Sequence, residues 1–381
     1  MPHPRDIAVF FDSPDDEFFS MQIVGDRLVT EWATTLAAQV RAEPFTVRLP
    51  KLARKLPSVG EGHAAFNVDR VLGRFLVYPP LAALQRGRFD FYHVVDHSYA
   101  HLALALPRGR TGVFCHDLDA FKSLLREPTE ERPAWFRAMQ GLILAGLKSA
   151  AVVFHTTNVV RSQIEREGIV PSARLVQAPY GIAPEFDARP RDDDGAAPLL
   201  APLGGQPFLL HVGSSSPRKR LDVLFETFAR VHARHPELRF VQVGAQLGPA
   251  HKEHLARLGL EGVLLHHERL EHRLIAGLLR RARAVLLPSE AEGFGIPLVE
   301  ALACGAVVFA SDIPVLREVG RGGAIYCPLA EPDAWSESIH RFLTGELHAP
   351  PRDERIACTA AYTWENHART IFRAYEALDR N

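Results

Sequence analysis

Neither sign of charge predominates in this chain: 44 lysines and arginines stand against 45 aspartates and glutamates, for a formal net charge of -1. That balance excludes the basic excess with which general nucleic-acid binders neutralise phosphates. Cysteine is scarce. The four present (Cys115, Cys304, Cys327 and Cys358) are scattered, with no CxxC pair and no framework spacing, which argues for a reducing compartment over secretion. No apolar run reaches membrane-spanning length, and the opening MPHPRDIAVFF has no basic-then-apolar signal pattern. Internal repeats and long low-complexity tracts are missing too. The expectation is a cytoplasmic globular protein, and 381 residues of which 47% are hydrophobic predict two domains.

Short apolar runs alternate with longer amphipathic stretches. DIAVFF (6–11), FTVRLP (45–50), FDFYHVV (89–95), TGVFC (111–115) and AAVVFHT (150–156) read as strands of the first half. FLLHVG (208–213), RFVQVG (239–244), GVLLHHE (262–268), AVLLPS (284–289), AVVFAS (306–311) and AIYCP (324–328) repeat the pattern in the second. Runs apolar at nearly every position, separated by helical segments, indicate parallel strands covered on both faces. The segment 188–207 is dense in Pro, Gly, Ala and Asp and has linker composition. This bounds a first domain at 1–190, a linker at 191–207 and a second domain at 208–362. The fold class is α/β, two doubly wound domains facing a cleft, with ligands expected at the carboxyl ends of the strands.

Two stretches of the second half carry chemistry. In HVGSSSPRKRLDVLFETF a buried strand ends at Gly213, and a small polar loop beginning at Ser214 runs through Arg218 and Lys219 into a helix. Backbone amides at such a turn, beside two cations, suit an anion such as a diphosphate. The loop matches neither GxGxxG nor GxxxxGK[ST], and a solvated basic loop accounts for it equally well. PSEAEGFGIPLVEALACG (288–305) is more informative. Gly293 and Gly295 flank Phe294 and permit close backbone approach, Ile296 and Pro297 open a helix, and Gly305 ends it. Amides from Gly295 to Leu298 would stand at the positive end of that helix. Glu292 precedes the turn. Glu300 lies one turn into a helix that is apolar nearly all round, where a carboxylate needs a partner. An ionised glutamate accepts two or more hydrogen bonds, which suits the paired hydroxyls of a sugar or ribose.

The E-x7-E spacing in EGFGIPLVE resembles that of the retaining nucleotide-sugar glycosyltransferases of the GT-B fold, the glycogen-synthase-like group 1 family of two Rossmann-like domains. VGSSSPRKRLDVLFETF is similar to the family's other signature, in particular its mannosyltransferase branch. LEHRLIAGLLRRARAVLLPS and TWENHARTIFRAYEAL resemble the segments before the E-x7-E strand and at the chain's end. The resemblance covers about residues 205–381. It implies that Arg218 and Lys219 hold a donor diphosphate, with Gly213 and Ser214 beside it. It further implies that the 293–298 turn meets the phosphates and the transferred sugar, that Glu292 binds hydroxyls of that sugar and that Glu300 binds the ribose. Arg269 and Leu270, after the 262–268 strand, join the donor-binding set, and 363–381 becomes a helix crossing back to the first domain. The family often has Arg where this chain has Ser214, so phosphate neutralisation falls on Arg218 and Lys219.

In the first half, YHVVDHSYAHL puts Asp96 and His97 at a strand's carboxyl end, and FCHDLDAF does the same for His116 and Asp117. The family often has a functional His in such a loop, so His97 and His116 are candidates; each is equally readable as a satisfied structural residue. Ser20, Met21 and Asp26 occupy the place of the family's glycine-rich first loop. RDDDG (191–195) and HKEH (251–254) read as solvated surface instead of metal ligands. VRLPKLARKLPSVG (47–60), with Arg48, Lys51, Arg54 and Lys55, suits an exposed loop or contact with an anionic membrane.

The expected activity is metal-independent hexosyl transfer with retention. Mannose would move from GDP-mannose, a co-substrate and not a bound cofactor, to a saccharide or lipid-linked saccharide. Its catalytic groups would be Asp96, His97, His116, Arg218, Lys219 and Glu292. A non-catalytic sugar-nucleotide-binding subunit and a non-hydrolysing epimerase of the same fold stand as alternatives.

Overall fold

The computed structural model describes residues 3–380 apart from 17–18, 49, 51, 54–62, 127–129, 190–193 and 245. The chain forms two compact units, Met1–Gly181 with Trp364–Asn381, and Ile182–Thr363. Each is built on a six-stranded sheet whose strands all run parallel.

In the first unit the strands are β1 (Arg5–Phe10), β2 (Val40–Phe45), β3 (Phe91–Val94), β4 (Thr111–Cys115), β5 (Val152–His155) and β6 (Leu175–Gln177), in the order β2-β1-β3-β4-β5-β6. The central strands are buried along their length, as their unbroken apolar runs require. Two edge strands depart from the sequence reading. The second strand is Val40–Phe45, not 45–50, and β6 carried no apolar signal strong enough to see. Edge strands are half exposed, so β2 alternates Arg41 and Glu43 with less polar residues and accommodates Pro44.

Residues 364–378 form a helix that packs with this unit. Trp32 donates its indole N–H to the Ala368 carbonyl at 3.1 Å. The Tyr375 hydroxyl donates to the Tyr92 carbonyl at 3.2 Å and accepts from His93 Nδ1 at 2.9 Å. Gly112 makes this approach possible, because a Cβ there would lie 2.4 Å from the Tyr375 oxygen. In the front of the unit, Met21 is half-buried and Asp26 exposed on the helix Phe19–Thr34. The Ser20 side chain and most of the basic loop at 47–60 lie outside the described residues.

The second unit contains β7 (Phe208–Val212), β8 (Arg239–Gly244), β9 (Leu264–Glu268), β10 (Ala284–Leu287), β11 (Val308–Ser311) and β12 (Ile325–Cys327), ordered β12-β11-β10-β7-β8-β9. The stretch read as a linker is in part a packed element of this unit. Asp194, taken from composition as solvated, is 4% exposed and accepts from Arg281 at 2.5 Å and Arg280 at 3.3 Å. Ala196 beside it is fully buried. Small residues and an aspartate give the same composition whether they are solvated or packed on a helix through paired arginines. The histidines of HKEH are half-buried, their edges set against the Phe225 ring. Among the described residues, no helix is long and apolar enough to cross a membrane.

Burial holds four histidines of the first unit below their ordinary value of 6.5: His93 to about 3, and His101, His116 and His367 to about 4. The unfolded chain takes up these protons near 6.5, the folded unit only below 4. Their contribution is therefore intact above pH 6.5 and lost as the pH falls from there toward 4. Asp12 and Asp26, raised by burial, work in the opposite sense but are two groups against four. Thermal unfolding followed by circular dichroism should shift down by several degrees between pH 7 and 5; a transition that stays put or rises would refute this balance.

Candidate functional site

In the second unit, chain order runs from β7 outward to β9, then returns to β10 and runs outward the other way. The loops after β7 and β10 therefore part at their carboxyl ends, the place where open parallel sheets form a crevice. The loop after β7 begins at Gly213, whose amide donates to the Val243 carbonyl at 2.9 Å. It continues through the exposed Ser214 to a 3-10 turn at Pro217–Lys219. The loop after β10 carries Glu292 and Gly293.

These two loops are joined by charge. Lys219 Nζ lies 2.5 Å from Glu292 Oε1, and Arg218 Nη1 lies 3.3 Å from Oε2 and donates to the Ala291 carbonyl at 3.0 Å. The Glu290 amide donates back to the Arg218 carbonyl at 2.9 Å. Burial works to raise the Glu292 carboxyl, but the Lys219 ammonium and Arg218 guanidinium outweigh it and hold the group below the usual carboxylate range. The sequence had assigned these cations and this carboxylate to different parts of a ligand; the structure pairs them with each other. Under them, His211 donates from Nδ1 to the Leu286 carbonyl at 2.8 Å, and its Nε2 is buried without a partner. Burial lowers it to about 4. Its strand position marked it only as an interior residue.

Gly295 adopts φ 90° at the start of the helix Ile296–Ala303, and a Cβ there would come within 2.7 Å of Leu316. A side chain is disfavoured on both counts. The expected row of amides is shorter than spacing suggested. Pro297 has none, and the Leu298 amide donates to the Gly295 carbonyl at 2.9 Å. Gly295 and Ile296 keep amides with no backbone acceptor among the described residues. Phe294 is buried edge-on against Tyr362, and Leu298 is fully buried in the core.

Glu300 is half-buried on this helix; its carbonyl accepts from the Cys304 amide at 3.1 Å, while its carboxylate has no hydrogen-bond partner among the described residues. Burial, and secondarily the charge of Glu185, raises it to about 8. Glu185, whose Oε2 is buried without a partner, had no motif to reveal it. Arg269 occupies the left-handed region, φ 45°, after β9, and Leu270 packs into the same core as Leu298.

In the first unit the order reverses between β1 and β3, and the residues following those strands again hold the chemistry. Asp96 accepts from the Ser98 amide at 2.7 Å and lies 3.3 Å from His97 Nδ1. Burial raises Asp96, but the charges of His97 and His116 and the Ser98 amide bring it below the usual range. Asp12, after β1, is pushed well above it by burial and by the charge of Asp96, and both its carboxylate oxygens are buried without a hydrogen-bond partner. The sequence reading passed over Asp12 because no periodicity or motif surrounds it. The two histidines separate clearly. His116 donates from Nε2 to the Val95 carbonyl at 2.9 Å and accepts at Nδ1 from the Tyr180 hydroxyl, so both ring nitrogens are engaged in holding the unit together. His97 Nδ1 accepts from the His116 amide at 3.3 Å, leaving Nε2 to carry the proton, 3.8 Å from Asp117.

Comparison with known proteins follows the same division of the chain. The family described as "Glycosyl transferases group 1" matches residues 200–360. A D-inositol 3-phosphate glycosyltransferase of Rhodococcus erythropolis is 29% identical over 307 residues, 74% of this chain and 68% of that protein. The O-antigen chain mannosyltransferase B of Escherichia coli is 25% identical over 270 residues, 69% of each chain. The structure of a sucrose-phosphate synthase from Thermosynechococcus elongatus superposes with a TM-score of 0.73 at 17% identity, covering 99% of both chains, and shares the GT-B fold.

Breaking the Lys219–Glu292 pair from one side strands a charge that is more than nine-tenths buried. Lys219→Met should therefore destabilise the second unit by about 3 kcal/mol, and adding Glu292→Gln should restore part of the loss. Urea unfolding of both variants measures it; equal stability of the single and double variants would mean the pair is not coupled.

Proposed function

The chain belongs to the group 1 glycosyl transferases, and from that premise we propose that it transfers a hexosyl group with retention, mannose from GDP-mannose, to a saccharide or lipid-linked saccharide. The observation that carries this reading is the Arg218–Lys219–Glu292 cluster at the switch point of the second sheet, one turn from the free amides of Gly295 and Ile296. A nucleotide-sugar has a diphosphate between two sugars. Two cations and a helix N-terminus suit the diphosphate, Glu292 suits hydroxyls of the hexose, and Glu300 suits the ribose. The mannosyl choice draws on the resemblance of the PRK loop to mannosyltransferases and on the name of the Escherichia coli relative.

Leaving-group charge builds on the diphosphate as the glycosidic bond breaks. The two amides are fixed donors, and Arg218 and Lys219 join them once Glu292 turns from these cations to the hexose; charge held ready in this way is a large catalytic term. In front-face displacement, a phosphate oxygen takes the acceptor proton. His97 has no hydrogen bond at Nε2 among the described residues, and it serves the acceptor side. His116 positions the surrounding backbone through Val95 and Tyr180. Because cations of the chain itself neutralise the diphosphate, transfer should survive EDTA; loss on chelation with recovery on added manganese would replace this scheme by a metal-dependent one.

The two glutamates supply the sharper test. Above pH 8, where Glu300 is ionised, Glu300→Gln should weaken free GDP and GDP-mannose alike, by about ten- to a hundredfold. Glu292→Gln should leave GDP binding nearly unchanged while weakening GDP-mannose and slowing transfer. Calorimetry with both ligands decides the matter, and equal losses of GDP affinity in the two variants would overturn the assignment.

A further inference from the structure

The first unit holds a cavity of about 440 Å³ that the donor chemistry does not use. One wall comes from the helix His63–Leu72 and the turn that follows it, the other from the helix Ala134–Ser149, with Ser98 at one end. Phe75, Phe136, Met139 and Ile143 make much of the lining apolar, and Trp135, 63% exposed, stands among them. The volume falls in the range of small-molecule sites.

Arg74 is the unusual member of this lining. It is 8% exposed, yet no carboxylate lies within ion-pair distance of it among the described residues. Its Nη2 donates to the Ser98 carbonyl, its guanidinium carbon stands 4.3 Å from the Tyr99 ring centre, and its Nε is buried with no acceptor. The other charged groups of the cavity have counter-ions: Arg70 with Asp16 at 3.1 Å, Arg132 with Glu130 at 2.6 Å, Asp119 with Lys122 at 3.0 Å. A buried guanidinium without a counter-ion is costly unless something else supplies the anion.

Backbone geometry points the same way. Arg74 sits in a π-helical turn, Gly73–Val77, between two α-helical stretches. Such turns insert a residue into the helix, shift side chains to a different face and recur at functional sites. Here the turn buries Arg74 while Leu76, two residues on, is 64% exposed. His101 Nε2 donates to the Arg74 carbonyl at 2.8 Å and pins the turn.

We infer that this cavity binds an amphipathic anion, a phosphate ester with an apolar body: its phosphate is the missing counter-ion of Arg74 and its apolar part lies along Phe75, Phe136 and Trp135. Ser98, beside Asp96 and His97, puts the phosphate end next to the groups assigned to the acceptor side, so the ligand is the acceptor of the transfer. Only that last step rests on the proposed function.

Octyl phosphate below its micellar concentration is the probe, with octyl glucoside as the tail without the charge and glucose 6-phosphate as the charge without the tail. Calorimetry on the full chain should find octyl phosphate binding at least tenfold more tightly than either. Arg74→Met should weaken octyl phosphate about ten- to a hundredfold and leave both the circular-dichroism melt of the chain and its GDP affinity unchanged, which together certify the fold. Trp135→Ala, on the exposed wall, tests the apolar half if Arg74→Met does not fold, and should cost severalfold for octyl phosphate only. Octyl glucoside binding as tightly as octyl phosphate, or octyl phosphate binding that Arg74→Met leaves untouched, would overturn the charge assignment. Glucose 6-phosphate matching octyl phosphate would overturn the apolar one. If octyl phosphate binds as described but no nucleotide-sugar is turned over, the transferase reading fails and the site stands; the reverse result fails the site alone.

Discussion

A sheet whose strands all run parallel has to bury both faces, and this constraint governs everything else in the chain. Each strand must be followed by a crossover that returns the backbone to the same starting edge, so every loop at the carboxyl ends is free to vary. Where the crossovers change direction, between β1 and β3 in one sheet and β7 and β10 in the other, neighbouring loops diverge and leave room between them. Both groups of polar residues described above stand at those two places. Their location follows from hydrogen-bond geometry before any side chain is considered.

What the loops do with that room is electrostatic. Lys219 and Glu292 are each less than a tenth exposed and would be costly to bury singly, but together they tie the β7 loop to the β10 loop. Asp12 and Asp96 are like charges in one buried place, and burial together with Asp96 holds Asp12 well above the usual carboxylate range. Glu300 and Glu185 have no counter-charge, and Arg74 has no carboxylate within ion-pair distance, among the described residues. Glu300 and Arg74 are both among the groups for which a ligand role is proposed. His93 bonds Tyr375, His116 bonds Val95 and Tyr180, and His367 donates from Nδ1 to the Pro179 carbonyl; all three serve the architecture.

Much of this could be read before any coordinates. The central strands, TGVFC and RFVQVG among them, are apolar at nearly every position because both faces are covered, and their ends fall where the runs end. The Gly-Phe-Gly-Ile-Pro turn announced a helix start, and Gly295 does occupy the left-handed region that favours glycine. Edge strands were illegible because half of each faces solvent, so Val40–Phe45 resembled a loop. Asp194 was misjudged for a related reason, since composition does not distinguish a solvated aspartate from one clamped by Arg280 and Arg281.

The chain's sequence by itself determined the fold class, the positions of the two signature loops and the identity of their cations and carboxylates, because those depend on residue type and short-range spacing. Only the tertiary structure decided that Arg218 and Lys219 hold Glu292, that both ring nitrogens of His116 are taken by Val95 and Tyr180, and that Arg74 is buried with no ion-pair partner among the described residues. Those outcomes depend on which groups, tens of residues apart in sequence, come within a few ångströms. Partnership at that range sets protonation, charge and availability, and no local pattern encodes it.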